Sequence, residues 1–218
     1  MSTATIPTER RVTLEGVSWA FYQNMLAEVG ESHVRLTFDQ GRLEIMSPLP
    51  IHEQIKKVLA RLIEAYADEM HVTIEGLGST TFDREDLQKG LEPDECYYVA
   101  NAKAVIGKED FDWTIDPPPD LAIEVDISRP DVARQPIYAA LGVGEIWKYD
   151  GRGVVSLHRV GGDRTSSEAR YIAAGESLAF PTLPMGELNR FLKMGMGEGQ
   201  TAAVKALRQW CRTSGESV

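Results

Sequence analysis

Cysteine is scarce in this sequence, since Cys96 and Cys211 are the only two in 218 residues. Two cysteines are too few for a disulfide framework, and no CxxC pair or Cys/His cluster indicates a zinc site. Histidine is also rare, and the four histidines lie far apart at positions 33, 52, 71 and 158. These absences favour a protein of a reducing compartment that depends neither on disulfides nor on zinc.

Long apolar runs are missing as well. Residues 1–11 are polar, so we expect no signal peptide. No stretch approaches the roughly 18 consecutive apolar residues that a membrane span needs. We therefore expect a cytoplasmic protein that does not enter a membrane.

Positive charge is in deficit, because 23 Lys and Arg face 33 Asp and Glu and leave a formal net charge of −10. Binding to nucleic acid depends mainly on Lys and Arg that neutralise phosphates, and an acidic surface opposes it. Part of the acid must therefore be solvated or gathered around cations.

What is present is the pattern of one α/β domain. Hydrophobic residues make up 43% of the chain and charged residues 26%, close to the average of globular proteins. Periodicity predicts a β-hairpin over Val34–Met46, an amphipathic helix over His52–Met70, strands at 93–99 and 121–127 and a helix at 131–141. We predict a single domain over residues 1–193. Residues 194–218 are predicted to form a flexible link, Gly195–Gly199, and a short C-terminal helix.

An acidic strand is the most informative segment. Side chains alternate between the two faces of a strand, so Asp120, Glu124 and Asp126 share one face, together with Ala122. Three carboxylates on one face repel each other. Either a cation lies among them or this face is open to water.

A second acidic strand favours the cation. Pro93-Asp94 opens this strand as Pro119-Asp120 opens the first. If the two strands pair, Asp94 and Glu124 can point into a common cleft. Mg²⁺ prefers a few hard oxygen ligands with water completing its octahedron. Such an ion could activate water and neutralise the charge that builds up on a phosphoryl group.

Three segments together resemble a large bacterial family of restriction-type endonucleases, first known as a domain of unknown function, within the PD-(D/E)XK nuclease superfamily. They are residues 90–98 (GLEPDECYY), 118–128 (PPDLAIEVDIS) and 136–147 (PIYAALGVGEIW). The resemblance extends from about Ser18 to Phe191. It implies a mixed α+β sheet with an αβββαβ core, to which an N-terminal helix and hairpin and C-terminal strands are added.

The resemblance also implies the chemistry. Asp94 takes the place of the motif's Asp and Glu124 that of its (D/E), so both would ligate Mg²⁺, with Mn²⁺ as a substitute, for phosphodiester hydrolysis in DNA. Asp126 stands where the motif has a lysine, and it would assist as a metal ligand or through water. Arg134, on the following helix, is the candidate for the missing cation. Arginine stays protonated, so it can hold a phosphate or a water but cannot act as a general base.

Further polar residues are candidate supports of this site. In the superfamily a residue of the first core helix often faces the metal, which suggests His52 and Glu53, and Glu44 of the hairpin is another candidate. Each also has an ordinary interpretation: His52 as a helix-start residue, Glu53 as an acid at a helix N-terminus, and Glu44 as a solvated hairpin residue. Tyr138, Trp147 and Tyr149 are predicted to lie in the core rather than to stack on bases.

Two other functions stay open. The missing lysine and the net charge of −10 suit a non-catalytic binding or assembly protein on a nuclease-like scaffold. The negative charge also suits a hydrolase of small phosphate esters. If the protein cuts both strands of DNA, we expect that two copies can pair as a homodimer.

Overall fold

The computed structural model describes residues 9–30, 32–162 and 169–214 of the chain. Within these ranges no helix combines the length and the apolarity needed to cross a membrane. The strands are β1 (Arg10–Leu14), β2 (Arg35–Asp39), β3 (Arg42–Ser47), β4 (Glu75–Gly76), β5 (Phe82–Arg84), β6 (Lys89–Leu91), β7 (Glu95–Tyr98), β8 (Leu121–Val125), β9 (Glu145–Tyr149), β10 (Val154–Val160) and β11 (Arg170–Ala174). The helices are α1 (Trp19–Val29), α2 (Pro50–Met70), α3 (Ala102–Val105), α4 (Gln135–Leu141), α5 (Met185–Gly197) and α6 (Gln200–Ser214).

A six-stranded mixed sheet forms the centre of the fold, with the order β11-β10-β9-β8-β7-β4. β8 and β9 run parallel and are connected through α4, whereas the other neighbours are antiparallel. Along the chain, α2, β4, β7, β8, α4 and β9 give the αβββαβ order that the resemblance implied. The predicted mixed α+β fold is therefore confirmed.

Strand β8 is buried on both faces. Leu121, Ile123 and Val125 pack in the core beneath α2, whereas Ala122 packs on the other side with residues of α4. The predicted alternation is thus correct. However, Glu124 is only 3% exposed, so the alternative of a strand face open to water is excluded, and its carboxylate must be stabilised by other protein groups.

The predicted short C-terminal helix is present as α6, but most of the predicted flexible link before it is helical. Residues 195–197 belong to α5, and α6 packs against α2 and α5 through Ala203, Leu207 and Cys211. A Cβ on Gly195 would lie 2.6 Å from Cγ1 of Val58. This glycine therefore permits close helix packing, a role that the local sequence GMGEG does not distinguish from flexibility.

The predicted hairpin is confirmed as β2 and β3, and it belongs to a second sheet with the order β1-β3-β2-β6-β5. Helix α1 covers this sheet, where Tyr22 stacks on Phe38 with ring centroids 4.9 Å apart. Gly90 of β6 passes directly under the Tyr22 ring, where a side chain would collide. The sheet brings β1 and β3 beside the segment that follows β8.

Candidate active site

The carboxyl end of β8 is the place where the predicted site residues meet. Glu124 lies in β8 and Asp126 just beyond it, while Asp94 directly precedes the neighbouring strand β7. Arg134 is the N-cap residue of α4, and His52 lies in the first turn of α2. Except for Asp126, which is 9% exposed, each of these side chains is at most 6% exposed.

Asp94 is held from two sides. One carboxylate oxygen accepts a hydrogen bond from the backbone N–H of Val125 at 2.7 Å, and the other faces Nε2 of His52 at 2.8 Å. Burial opposes the charge of this carboxyl group, but the hydrogen bond and charge of His52, the charge of Arg134 and the Val125 amide lower its pKa. Asp94 is therefore a fixed, ionised carboxylate.

His52 links Asp94 to Glu9, whose Oε1 lies 2.7 Å from Nδ1 of the ring. Burial disfavours the charged ring, but the hydrogen bonds and charges of Asp94 and Glu9 outweigh it and raise the pKa of His52 to about 9. Both ring nitrogens then donate, as only the imidazolium form can. His52 is thus a positioning residue for Asp94, rather than a free helix-start residue.

Glu124 accepts hydrogen bonds from Nη1 of Arg134 and from the hydroxyl of Tyr138, one on each carboxylate oxygen. Burial and the charges of Asp94 and Asp126 outweigh the effect of Arg134 and raise the pKa of Glu124 to about 7. A cation held by Glu124 would favour the ionised form and so release a proton near neutrality.

Asp126 has one oxygen with a partner and one without. Its Oδ2 lies 2.8 Å from Nζ of Lys148 on β9. Its Oδ1 is buried, has no hydrogen-bond partner among the described residues, and lies 3.7 Å from Nη1 of Arg134. Nε of Arg134 is likewise buried without an acceptor within the described ranges. Such unpaired atoms are rare in folded proteins and often mark a site that a water, ion or ligand completes.

Glu44 belongs to a supporting layer, although a solvated hairpin position was the alternative. Its Oε1 accepts from Nη1 of Arg11 at 2.5 Å, and its Oε2 accepts from the backbone amides of Asp131 and Val132 at 2.5 and 3.1 Å. Nη2 of Arg134 lies 3.7 Å from the same carboxylate. Glu44 therefore orients the loop that carries Arg134 towards β8.

Two sequence candidates lie elsewhere. Asp120 is at the opposite end of β8, where its carboxylate accepts from the backbone amides of Val99 and Asn101 at 2.7 and 3.0 Å. Glu53 is an exposed residue of α2 whose Oε2 lies 3.9 Å from Nζ of Lys56. Neither side chain contacts the cluster, because a strand spaces Asp120 away from Glu124 and the helical turn directs Glu53 outward.

The structure also adds residues that the sequence argument missed, namely Glu9, Arg11, Tyr138 and Lys148. Tyr138 is buried as predicted, but its hydroxyl contacts Glu124. Arg11 joins Glu9 and Glu44, both at 2.5 Å. None of the four carried a distinctive signal in the sequence, and Lys148 shares its short strand with a second charged residue, Glu145.

The donor set suits Mg²⁺ in chemistry, because Asp94, Glu124 and Asp126 offer hard carboxylate oxygens. The unpaired, buried Oδ1 of Asp126 is an acceptor that a cation would satisfy. In the described part of the chain, however, no group of three or more His, Cys, Asp or Glu side chains is arranged to hold a metal ion. The guanidinium of Arg134 lies between Glu124 and Asp126, so a metal there requires that Arg134 moves.

Stability at alkaline pH tests the arrangement around His52. The folded pKa of about 9 exceeds the unfolded value of about 6.5. The stabilisation of the folded state by protonated His52 is therefore complete below pH ~6.5 and is lost as the pH rises through about 9. We expect urea unfolding to show a loss of up to about 3 kcal/mol between pH 6 and 9.5. His52→Gln should remove most of this dependence and the exposed His33→Gln none; equal pH slopes in both variants would contradict the assignment.

A family model, Uma2, with the description “Putative restriction endonuclease”, matches residues 19–190. No curated protein matches the chain. A similar solved structure is a putative nuclease belonging to DUF820 from Anabaena variabilis ATCC 29413, with 14% identity and a TM-score of 0.49 over 78% of this chain and 97% of that one. The family match covers the site from Glu44 to Lys148 but leaves out Glu9 and Arg11.

Proposed function

Because this chain belongs to the Uma2 family, described as “Putative restriction endonuclease”, we propose that it is an endonuclease that hydrolyses phosphodiester bonds of DNA with Mg²⁺ or Mn²⁺. The family supports a nuclease-like function. We infer the metal and the DNA substrate from the chemistry of the site.

One observation carries the proposal: the carboxylates of Asp94, Glu124 and Asp126 lie buried together, and the buried guanidinium of Arg134 interacts with all three. His52 pairs in addition with Asp94, and Lys148 with Asp126. Burying like charges together is costly unless a cation compensates them. Arg134 compensates them incompletely, because Oδ1 of Asp126 and its own Nε have no hydrogen-bond partner among the described residues. A divalent ion would suit the same carboxylates.

Asp94, Glu124 and Asp126 would hold the ion. When bound, Mg²⁺ polarises a phosphoryl oxygen and lowers the pKa of a coordinated water. The other residues orient these ligands: His52 holds Asp94, and the hydroxyl of Tyr138 holds Glu124. Arg134, once it withdraws from Glu124, can donate to a phosphate oxygen but cannot take up a proton from water.

The test of the function is cleavage of supercoiled plasmid and of linear DNA by the purified full chain, with Mg²⁺, with Mn²⁺ and with EDTA. We expect nicked and linear products with either metal and none with EDTA. Intact DNA under all three conditions, with a folded protein, would reject the endonuclease.

A non-catalytic binding or assembly protein is the second candidate. Arg134 forms an ion pair with Glu124 at the place where a metal would bind, which suits a scaffold without chemistry. A hydrolase of small phosphate esters is the third, and the net charge of −10 suits it better than DNA does. Release of phosphate from nucleoside monophosphates without cleavage of DNA would select the third candidate, and metal-independent DNA binding without any hydrolysis would select the second.

A further inference from the structure

A cavity of about 220 Å³ opens beside the carboxylates. Three cations line it, Arg129, Arg134 and Lys148, together with the acids Glu124, Asp126 and Asp131. Pockets that enclose a whole small-molecule ligand are typically about 300–1,000 Å³. This cavity therefore fits a phosphate group with part of a sugar rather than a complete nucleotide.

The pairing of β8 with β9 places Lys148 on the wall of this cavity. In their parallel register Glu124 is opposite Lys148 and Ala122 is opposite Ile146. Residues opposite each other in a sheet project from the same face, so the Lys148 side chain shares the face of Glu124. Its ammonium group reaches Asp126 at 2.8 Å while the side chain stays 33% exposed.

Each acid of the cavity has at least one partner, although Oδ1 of Asp126 has none among the described residues, whereas the cations have donors to spare. Glu124 accepts from Arg134 and Tyr138, and Asp131 accepts from Oγ1 of Thr13 at 2.9 Å.

Lys148 has three N–H donors and contacts one carboxylate, that of Asp126. Arg129 is exposed and forms no ion pair with any described residue. Nε of Arg134 is buried without an acceptor in the described ranges. The accessible spare donors of Lys148 and Arg129 on one cavity suit a ligand with several acceptor oxygens and negative charge.

We propose that Lys148 and Arg129 form an oxyanion subsite that binds a phosphate group, with Lys148 in contact with one of its non-bridging oxygens. The subsite deepens the proposed function and rests on it for the source of the phosphate, which is either a phosphodiester of DNA or a free phosphate monoester. It also gives the site two cations, the exposed Arg129 and the partly exposed Lys148, whose remaining donors can contact substrate while Arg134 is paired with Glu124.

The experiment measures binding of a fluorescent 12-base-pair DNA duplex by anisotropy, with Ca²⁺ in place of Mg²⁺, over a range of salt concentrations. Lys148→Met is expected to weaken binding by about tenfold and to reduce the slope of log affinity against log salt by about one. Lys148→Arg should retain most of the affinity. Arg129→Gln, an exposed change that leaves the fold intact, should weaken binding about threefold with a similar loss of slope.

The matched control is Lys193→Met, since Lys193 is an exposed cation of α5, which packs on the opposite face of the six-stranded sheet. We expect no change in this variant. If Lys148→Met and Arg129→Gln bind DNA as Lys193→Met does, the subsite is wrong. It is also wrong if the unmodified protein binds neither the duplex nor thymidine monophosphate.

The same binding and cleavage measurements distinguish a DNA phosphodiester from a free phosphate monoester as the ligand. They also distinguish failure of the subsite from failure of the proposed nuclease. Thymidine monophosphate that binds the unmodified protein more tightly than the duplex, and loses affinity in Lys148→Met, supports the subsite with a free monoester as its ligand. DNA that binds through Lys148 but is not cut with Mg²⁺ retains the subsite and rejects the nuclease. DNA that is cut while Lys148→Met binds normally retains the nuclease and rejects the subsite.

Discussion

Replacement of Glu124 with glutamine is expected to slow DNA cleavage by about a thousandfold or more. Glutamine preserves the size of the side chain but removes the negative charge that would hold the cation. A metal ion supplies several kcal/mol of transition-state stabilisation, and each ~1.4 kcal/mol is a factor of ten in rate. The measurement is the rate of plasmid nicking at saturating Mg²⁺, together with Mn²⁺ affinity by calorimetry, which should fall in parallel.

The control for this variant must separate chemistry from folding. Without its carboxylate partner the buried Arg134 is left uncompensated, which can cost about 3–5 kcal/mol of stability, so thermal unfolding is measured alongside. Asp126→Asn is a second test of the same site, because Asp126 is the least buried of the three acids. Tyr138→Phe removes only the hydroxyl that donates to Glu124. We expect it to lower metal affinity or the cleavage rate by about tenfold. Unchanged metal affinity and cleavage in folded Glu124→Gln would place the chemistry elsewhere.

Replacement of Arg134 with glutamine is expected to have the opposite effect on metal binding. The guanidinium contacts Glu124 and lies 3.7 Å from Asp126, so a metal ion and Arg134 compete for the same carboxylates. Coupling energies between competing ligands are commonly about 1–3 kcal/mol. We therefore expect Mn²⁺ affinity to rise by at least about tenfold, while the metal-free variant is less stable than the unmodified protein and is restored by Mg²⁺.

Arg129→Gln is the matched control for Arg134→Gln. It removes the same charge from the same cavity, but Arg129 is exposed and contacts none of the three carboxylates. General electrostatics would raise metal affinity equally in both variants. Direct competition between the metal ion and Arg134 predicts a larger rise in metal affinity in Arg134→Gln than in Arg129→Gln. Equal metal affinities in the two variants would contradict this competition.

The candidate site was predictable where its residues lie on a regular strand. Period-two alternation put Glu124 on the opposite face from Ile123 and Val125, and the structure agrees. The same rule wrongly suggested Asp120 as a member of the site. Asp120 shares a face with Glu124 but lies at the opposite end of the strand. The motif match likewise selected Asp94 and Arg134, and the structure places both beside Glu124.

Residues that reach the site from other elements were not predictable. Glu9 and Arg11 come from the N-terminal side of β1, more than 40 residues before His52 in the case of Glu9. Their positions depend on the pairing of β1 with β3. Lys148 depends on the register between β8 and β9, which no periodicity within either strand contains.

The sequence alone determined the alternation of β8, the helical face of α2, the hairpin and the order αβββαβ, because each follows from local periodicity or from a contiguous motif. Tertiary structure decided how the charges pair. It placed Arg134 among the three carboxylates and His52 between Glu9 and Asp94. It also paired Asp126, which stands where the motif has a lysine, with Lys148. The physical reason is that a buried charge is tolerable only when another chain segment brings its counter-ion within a few ångströms, and such contacts between distant residues leave no trace in local patterns.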